Sequence, residues 1–190
     1  MTWIITSTGR QFDLLNPRAE AVSTVDIAHA LAHICRFNGH CLQHYSVAQH
    51  SLLVASIVPK EHQLVALLHD APEAYIGDMV RPLKMGLRER SSTAGVESLY
   101  HTVEHRIWLA ICERFGVDPE IPACVKEADM IALATERREL LPNHPAAWEC
   151  LAGVEPLPHG IELWTPEHAR QVYHDRLMDL LATTHRANAA

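Results

Sequence analysis

The sequence has no C-x-x-C spacing and an odd number of cysteines, five, at positions 35, 41, 112, 124 and 150. That argues against a disulfide framework and for reduced thiols in a cytoplasmic protein. Long apolar runs are missing too. The longest, IWLAIC at 107–112, falls far short of the roughly 20 residues that span a bilayer, so no membrane partner is expected. The N-terminus, MTWIITSTGRQFD, has neither a basic start nor an apolar stretch, so no secretory signal is expected. Positive charge is scarce: 16 Lys and Arg stand against 23 Asp and Glu, for a formal net charge of −7. A nucleic-acid polymer needs a concentrated basic surface, so that partner is not expected. A small phosphorylated ligand needs only a local basic pocket and stays open. No internal repeat, low-complexity segment or linker interrupts the 190 residues, which suit a single domain, 1–190.

Histidine, by contrast, is plentiful: 14 residues, enough to generate metal-like spacings by chance. Each must therefore be weighed by the helix face it occupies. A short hairpin is expected at the start, with WIIT and QFDLL flanking the turn STGR. After it the pattern is helical almost throughout, an all-α fold. Ser23 or Thr24 can cap a helix to about Arg36, with Ile27, Ala30, Leu31 and Ile34 on one face. Asn38-Gly39 breaks it. Helices are predicted at about 43–57, 61–71, 96–115, 125–140 and 166–183. The 96–115 helix carries Val96, Leu99, Val103, Ile107, Ile111 and Phe115 as its stripe. Residues 77–95 lack periodicity and hold glycines and a proline, so mostly loop is expected there.

Two histidine constellations compete. His101, Glu104 and His105 form an H-x-x-E-H, the inverted zinc-protease pattern. At about 100° per residue the two histidines fall far around the helix from Val103, the middle of the stripe. They are expected to face water, as are His29 and His33, another i,i+4 pair. The second constellation lies on inward faces. His50 sits one turn from Val47 and Val54, His69-Asp70 ends the apolar run LVALL, and Asp129 lies among Val125 and Ala132. Three polar positions on the inner faces of three helices need compensation, and a divalent cation supplies it.

The order His50 … His69-Asp70 … Asp129 resembles the H…HD…D pattern of the HD-domain metal-dependent phosphohydrolases. AQHSLLVA (48–55), ALLHDAPEAYIGD (66–78) and MVRPLK (79–84) are similar to the bacterial HD-domain 5′-deoxynucleotidases. They are also similar to the related small deoxynucleoside triphosphate triphosphohydrolases, some of them phage-encoded. The likeness covers about residues 24–140. It implies an HD-domain helical bundle and one divalent ion held by His50, His69, Asp70 and Asp129. Mn, Co, Mg, Zn, Ni and Fe are all left open as its identity.

Glu73 lies three and four residues beyond the HD pair, on their face if the helix continues through Pro72. The resemblance gives it the role of moving protons at the reacting water. Arg36 matches an arginine that contacts phosphate, and Phe37 an aromatic that packs near the sugar. The nucleotidase pattern has Trp at this position, which leaves sugar selectivity open. Asp78 matches a residue that contacts the nucleoside. Arg81 and Lys84, followed by Arg88 and Arg90, suit a polyphosphate clamp on the expected loop. No His-His dipeptide suggests a second metal, and no G-Y-P accompanies the HD pair as in cyclic-dinucleotide enzymes.

The expected activity is release of phosphate from a 2′-deoxynucleoside monophosphate, or of triphosphate from a triphosphate such as dATP. The expected partners are this small-molecule substrate and further copies of the chain, a dimer or higher. Two rivals stand beside it: a zinc metallopeptidase using His101, Glu104 and His105, and a non-catalytic nucleotide sensor on the same fold. The complete ligand set and Glu73 weigh against the sensor.

Overall fold

In the computed structural model the described residues are 1–95 and 97–188, without the side chains of 185–188. Val96, expected to open the long helix, lies outside them. Strands β1 (Trp3–Ile5) and β2 (Gln11–Asp13) pair antiparallel, with Ile4 opposite Phe12. Period-2 alternation sends the Phe12 ring inward, where it stacks on Tyr75 with centroids 3.7 Å apart. The hairpin is pinned by one buried acid. Asp26 accepts from Ser7 Oγ at 2.7 Å, and from Thr8 N and Thr8 Oγ1 at 2.8 Å each. Burial alone would raise its pKa, but these donors hold it below the usual value.

Everything else regular is helical. The long helices are α1 (Thr24–His33), α2 (Val47–Ile57), α5 (Arg81–Thr93), α6 (Leu99–Phe115), α7 (Ala123–Leu140) and α8 (Pro166–Asn188). The short α3 (Gln63–Leu68) and α4 (Glu73–Ile76) lie between α2 and α5. Ser23 and Ser46 cap α1 and α2 by accepting the backbone N–H three residues on. Helix α1 packs on α8, and α2 lies centrally against α1, α3, α7 and α8. Ile27, Leu31, Val47, Val54, Leu67, Ile107, Ile111, Tyr173 and Leu177 form the buried centre. No helix among the described residues is long and apolar enough to cross a membrane.

Two expectations are corrected. Residues 77–95 are not mostly loop, because α5 occupies Arg81–Thr93 with Pro82 in its first turn. Apolar periodicity reports burial, and α5 buries none of its residues, so a pattern search passes over it. Helix α6 does not bury a stripe centred on Val103. Its buried residues are Ile107, Trp108, Ala110, Ile111, Cys112 and Phe115, while Leu99 is 81% exposed. In the first two turns Val103 is only partly buried against the core. His101 and His105, expected to face water, line an open cavity together with Glu104, and His105 is exposed there.

Candidate metal centre

Helix α2 delivers His50 because Val47 and Val54 seat it in the core, and the imidazole is fully buried. The buried run of α3 ends at Leu68, and His69 keeps helical dihedrals (φ −57°, ψ −33°). Pro72 (φ −55°, ψ −30°) also stays helical, so the turn carrying Asp70 runs straight into α4 and Glu73. Helix α7 buries Val125, Ala128 and Ala132 and brings Asp129 to the same place.

The four residues converge. His50 Nε2 is 3.4 Å from Asp70 Oδ2 and 3.2 Å from Asp129 Oδ1, and His69 Nε2 is 3.2 Å from Asp70 Oδ2. One ligand atom each from His50, His69 and Asp129 lies within 4.8 Å of the others, a group able to hold a metal ion. Both rings are fixed from behind. His69 Nδ1 donates to the Ala66 carbonyl at 2.7 Å, and His50 Nδ1 meets Glu136 Oε1 at 2.6 Å. Both Nε2 atoms are buried and have no hydrogen-bond partner. A ligating histidine has this arrangement, its far nitrogen donating to a carbonyl or carboxylate and its near lone pair aimed at the ion. The donor set of nitrogen and carboxylate oxygen fits a divalent first-row cation.

The electrostatics agree with a place built for positive charge. Burial and Arg36 push His50 down, yet Glu136 and Asp129 hold its pKa up at about 10. Burial would raise Asp70, but His69, His50 and Arg36 pull it far below the carboxylate range. Asp129 is held at about 2 against burial, chiefly by His50.

A cavity of about 730 Å³ opens in front of this group, within the range of small-molecule sites. His69, Asp70, Asp129 and Glu73 line its inner end, while Lys84, Arg88, Lys126, His101, Glu104 and His105 line the remainder. Glu73 is 3% exposed, and its Oε2 is buried without a partner. Burial, then Asp70 and Asp78, raises its pKa well above the ordinary range. Lys84 Nζ lies 3.4 Å from Glu73 Oε1 and 2.8 Å from Glu104 Oε1. Arg81 Nη2 sits 3.2 Å from Asp129 Oδ2. The two candidate clamp residues thus lie on α5 and are already paired with carboxylates.

Arg36 stands at the other side of the centre. Its Nη1 is 3.8 Å from both Asp70 and Asp78. Gly77, at φ +80°, lets the chain turn to bring Asp78 there. Phe37 and Asn38 also adopt positive φ, 55° and 53°, a strain that proteins retain where the surroundings fix it. Phe37 does not line the cavity. Its ring lies 5.5 Å from the Arg36 guanidinium carbon and 6.4 Å from the Trp148 ring.

Sequence reasoning missed Glu136. It is fully buried, seven residues beyond Asp129 on α7, and bridges His50 and Arg36. Seven residues are two helical turns, so the face that brought Asp129 inward also marks Glu136. The H-x-x-E-H residues form no metal-binding group among the described residues. Glu104 is engaged by Lys84 instead.

No family model matches the chain. It is 36% identical over 181 residues to the protein of Escherichia coli (strain K12) named "Uncharacterized protein YfdR", covering 95% of this chain and 96% of that protein. A protein of Rhodobacter capsulatus, "Uncharacterized protein RCAP_rcc00048", is 34% identical over 151 residues, covering 73% of this chain and 72% of the relative. At that identity, and nearly end to end, the chain belongs to the same protein family as YfdR of Escherichia coli.

Proposed function

We propose that the protein is an HD-domain, metal-dependent phosphohydrolase acting on 2′-deoxynucleotides. It would release phosphate from monophosphates or triphosphate from triphosphates such as dATP. One observation carries the reading. Two buried imidazoles, each pinned through Nδ1, aim Nε2 atoms without a hydrogen-bond partner at the carboxylates of Asp70 and Asp129. Nitrogens and carboxylates so arranged call for positive charge among them, which a divalent cation supplies.

His50, His69, Asp70 and Asp129 would hold the ion. When bound, a divalent cation supplies charge opposite a phosphoryl oxygen and makes water more acidic. Glu73 is placed to take the proton of the attacking water at Oε2 and to return one to the leaving oxygen. Its buried, raised-pKa carboxyl suits both tasks. Arg36 is kept charged by Glu136, Asp70 and Asp78 despite burial, and so stands ready for a phosphate. Trp108, Ile121 and Val125 give the cavity an apolar wall for a nucleoside.

The test is a panel of deoxynucleoside mono- and triphosphates offered to protein loaded in turn with Mn²⁺, Co²⁺, Mg²⁺, Zn²⁺, Ni²⁺ and Fe²⁺. Products are separated by chromatography. Free phosphate from a monophosphate, or inorganic triphosphate from a triphosphate, supports the reading. Nucleotide binding without turnover under every metal would make the protein a sensor.

A further inference from the structure

Glu136 lies at the centre but neither faces the proposed ion nor lines the cavity. Its side chain is fully buried, and each oxygen meets a different functional group: Oε1 is 2.6 Å from His50 Nδ1, and Oε2 is 3.0 Å from Arg36 Nη2. Burying a carboxylate for stability alone is a poor use of a core position, since apolar residues of similar size do as well. We propose that Glu136 is a positioning residue. With one oxygen it fixes the tautomer of His50 that can ligate a cation, and with the other it holds the Arg36 guanidinium beside that cation. The inference rests on the cation site of the preceding reading, and not on which nucleotide is the substrate.

Hydrogen-bond inventory makes the case. A carboxylate only accepts, so a neutral His50, the form that ligates a cation, carries its proton on Nδ1 and leaves the Nε2 lone pair toward Asp70 and Asp129. Arg36 only donates. Its Nη2 is tied to Glu136, while Nε is buried without a partner and Nη1 lies 3.8 Å from the nearest carboxylates. The tether therefore orients the guanidinium without exhausting its donors.

Glutamine at this place has one acceptor and one donor. Arg36 can never accept, so it claims the amide oxygen, and the NH₂ turns to His50. Nδ1 must then accept, the proton moves to Nε2, and the ring loses its ligating lone pair. Glu136→Gln should consequently weaken cation binding by about 10- to 100-fold, the usual cost of losing such an outer partner. Removing Arg36 as well frees the amide oxygen for Nδ1–H and restores the tautomer.

The experiment measures Co²⁺ affinity, from its visible absorption, for the native chain, Glu136→Gln, Arg36→Met and the double variant, each checked for folding by circular dichroism. The expected order is Arg36→Met no weaker than native, since a neighbouring positive charge is lost, Glu136→Gln weaker, and the double variant restored most of the way. Unchanged affinity in Glu136→Gln, or a double variant no better than it, overturns the proposal. If Glu136→Gln does not fold, ¹⁵N spectra of the Zn²⁺-loaded native protein decide instead: a proton on His50 Nδ1 is required, and one on Nε2 refutes it. A native chain that binds no Co²⁺ would remove the cation reading itself, while one that binds it but hydrolyses no nucleotide would remove only the substrate reading.

Discussion

Asp70 and Glu73 are three residues apart on one continuous turn, yet burial treats them in opposite ways. Asp70 is surrounded by His69, His50 and Arg36 and stays ionised. Glu73 is buried among Asp70 and Asp78, which outweigh the shared Lys84 and Arg36, and its pKa climbs. Two carboxyls driven apart in this way are suited to different tasks, one to hold a cation and one to move a proton. Changing Asp70 to Ala should therefore abolish cation binding and turnover together, read by Mn²⁺ dialysis and phosphate release. A variant still fully active after metal depletion would refute the assignment. Glu73→Gln should keep the cation, since neither its side chain nor its neighbours change shape, while kcat falls by about 10²-fold or more. Loss of Mn²⁺ from that variant, with activity regained in excess metal, would make Glu73 a ligand.

At the scale of elements, the inward faces of α2 and α7 were legible because Val47, Val54, Val125 and Ala132 mark them at helical spacing and carry His50 and Asp129 with them. Helix α5 was not legible, because it packs nothing into the core and is held by Arg81 to Asp129 and Lys84 to Glu73 and Glu104. The start of α6 departs from the apolar pattern because Leu99 looks like core but is exposed and Val103 is only partly buried against it, while His101 and Glu104 line the cavity. Glu136 was overlooked because a fully buried glutamate reads as surface until its partners, a hundred residues away at Arg36 and eighty-six at His50, are known. The hairpin was visible in its alternation, but its anchor, Asp26, was not. Removing that anchor in Asp26→Ala strands Ser7 and Thr8 donors and should cost about 2–3 kcal/mol, measured by urea unfolding near neutral pH. Because the folded pKa of Asp26 is lowered, its contribution is complete above the unfolded value near 3.9 and fades as pH falls through the folded one. The deficit of the variant should therefore shrink in strong acid, and a deficit that grows there would refute the role.

For the whole molecule, a formal charge of −7 repels anions at long range. An anionic substrate of the kind proposed would then be drawn by the cations that line the cavity, Lys84, Arg88 and Lys126. These are not equivalent. Lys84 is held between Glu73 and Glu104, so on the proposed reading its removal would disturb the group that moves protons and should impair every substrate. Arg88 and Lys126 line the cavity and form no ion pair among the described residues. On the proposed reading they are the cations left free for the further phosphates of a triphosphate. Arg88→Ala should thus lower kcat/KM for dATP by about tenfold, the lower end of a charge-assisted contact, and leave dAMP nearly unchanged. Lys84→Ala should lower both. The measurement is kcat/KM for dAMP and dATP with each variant, at fixed and modest salt because screening weakens exposed contacts. Equal losses on both substrates in Arg88→Ala would place Arg88 on the shared phosphate. No loss on either would leave the triphosphate without a clamp on this wall, and the monophosphate would be the substrate that the cavity serves.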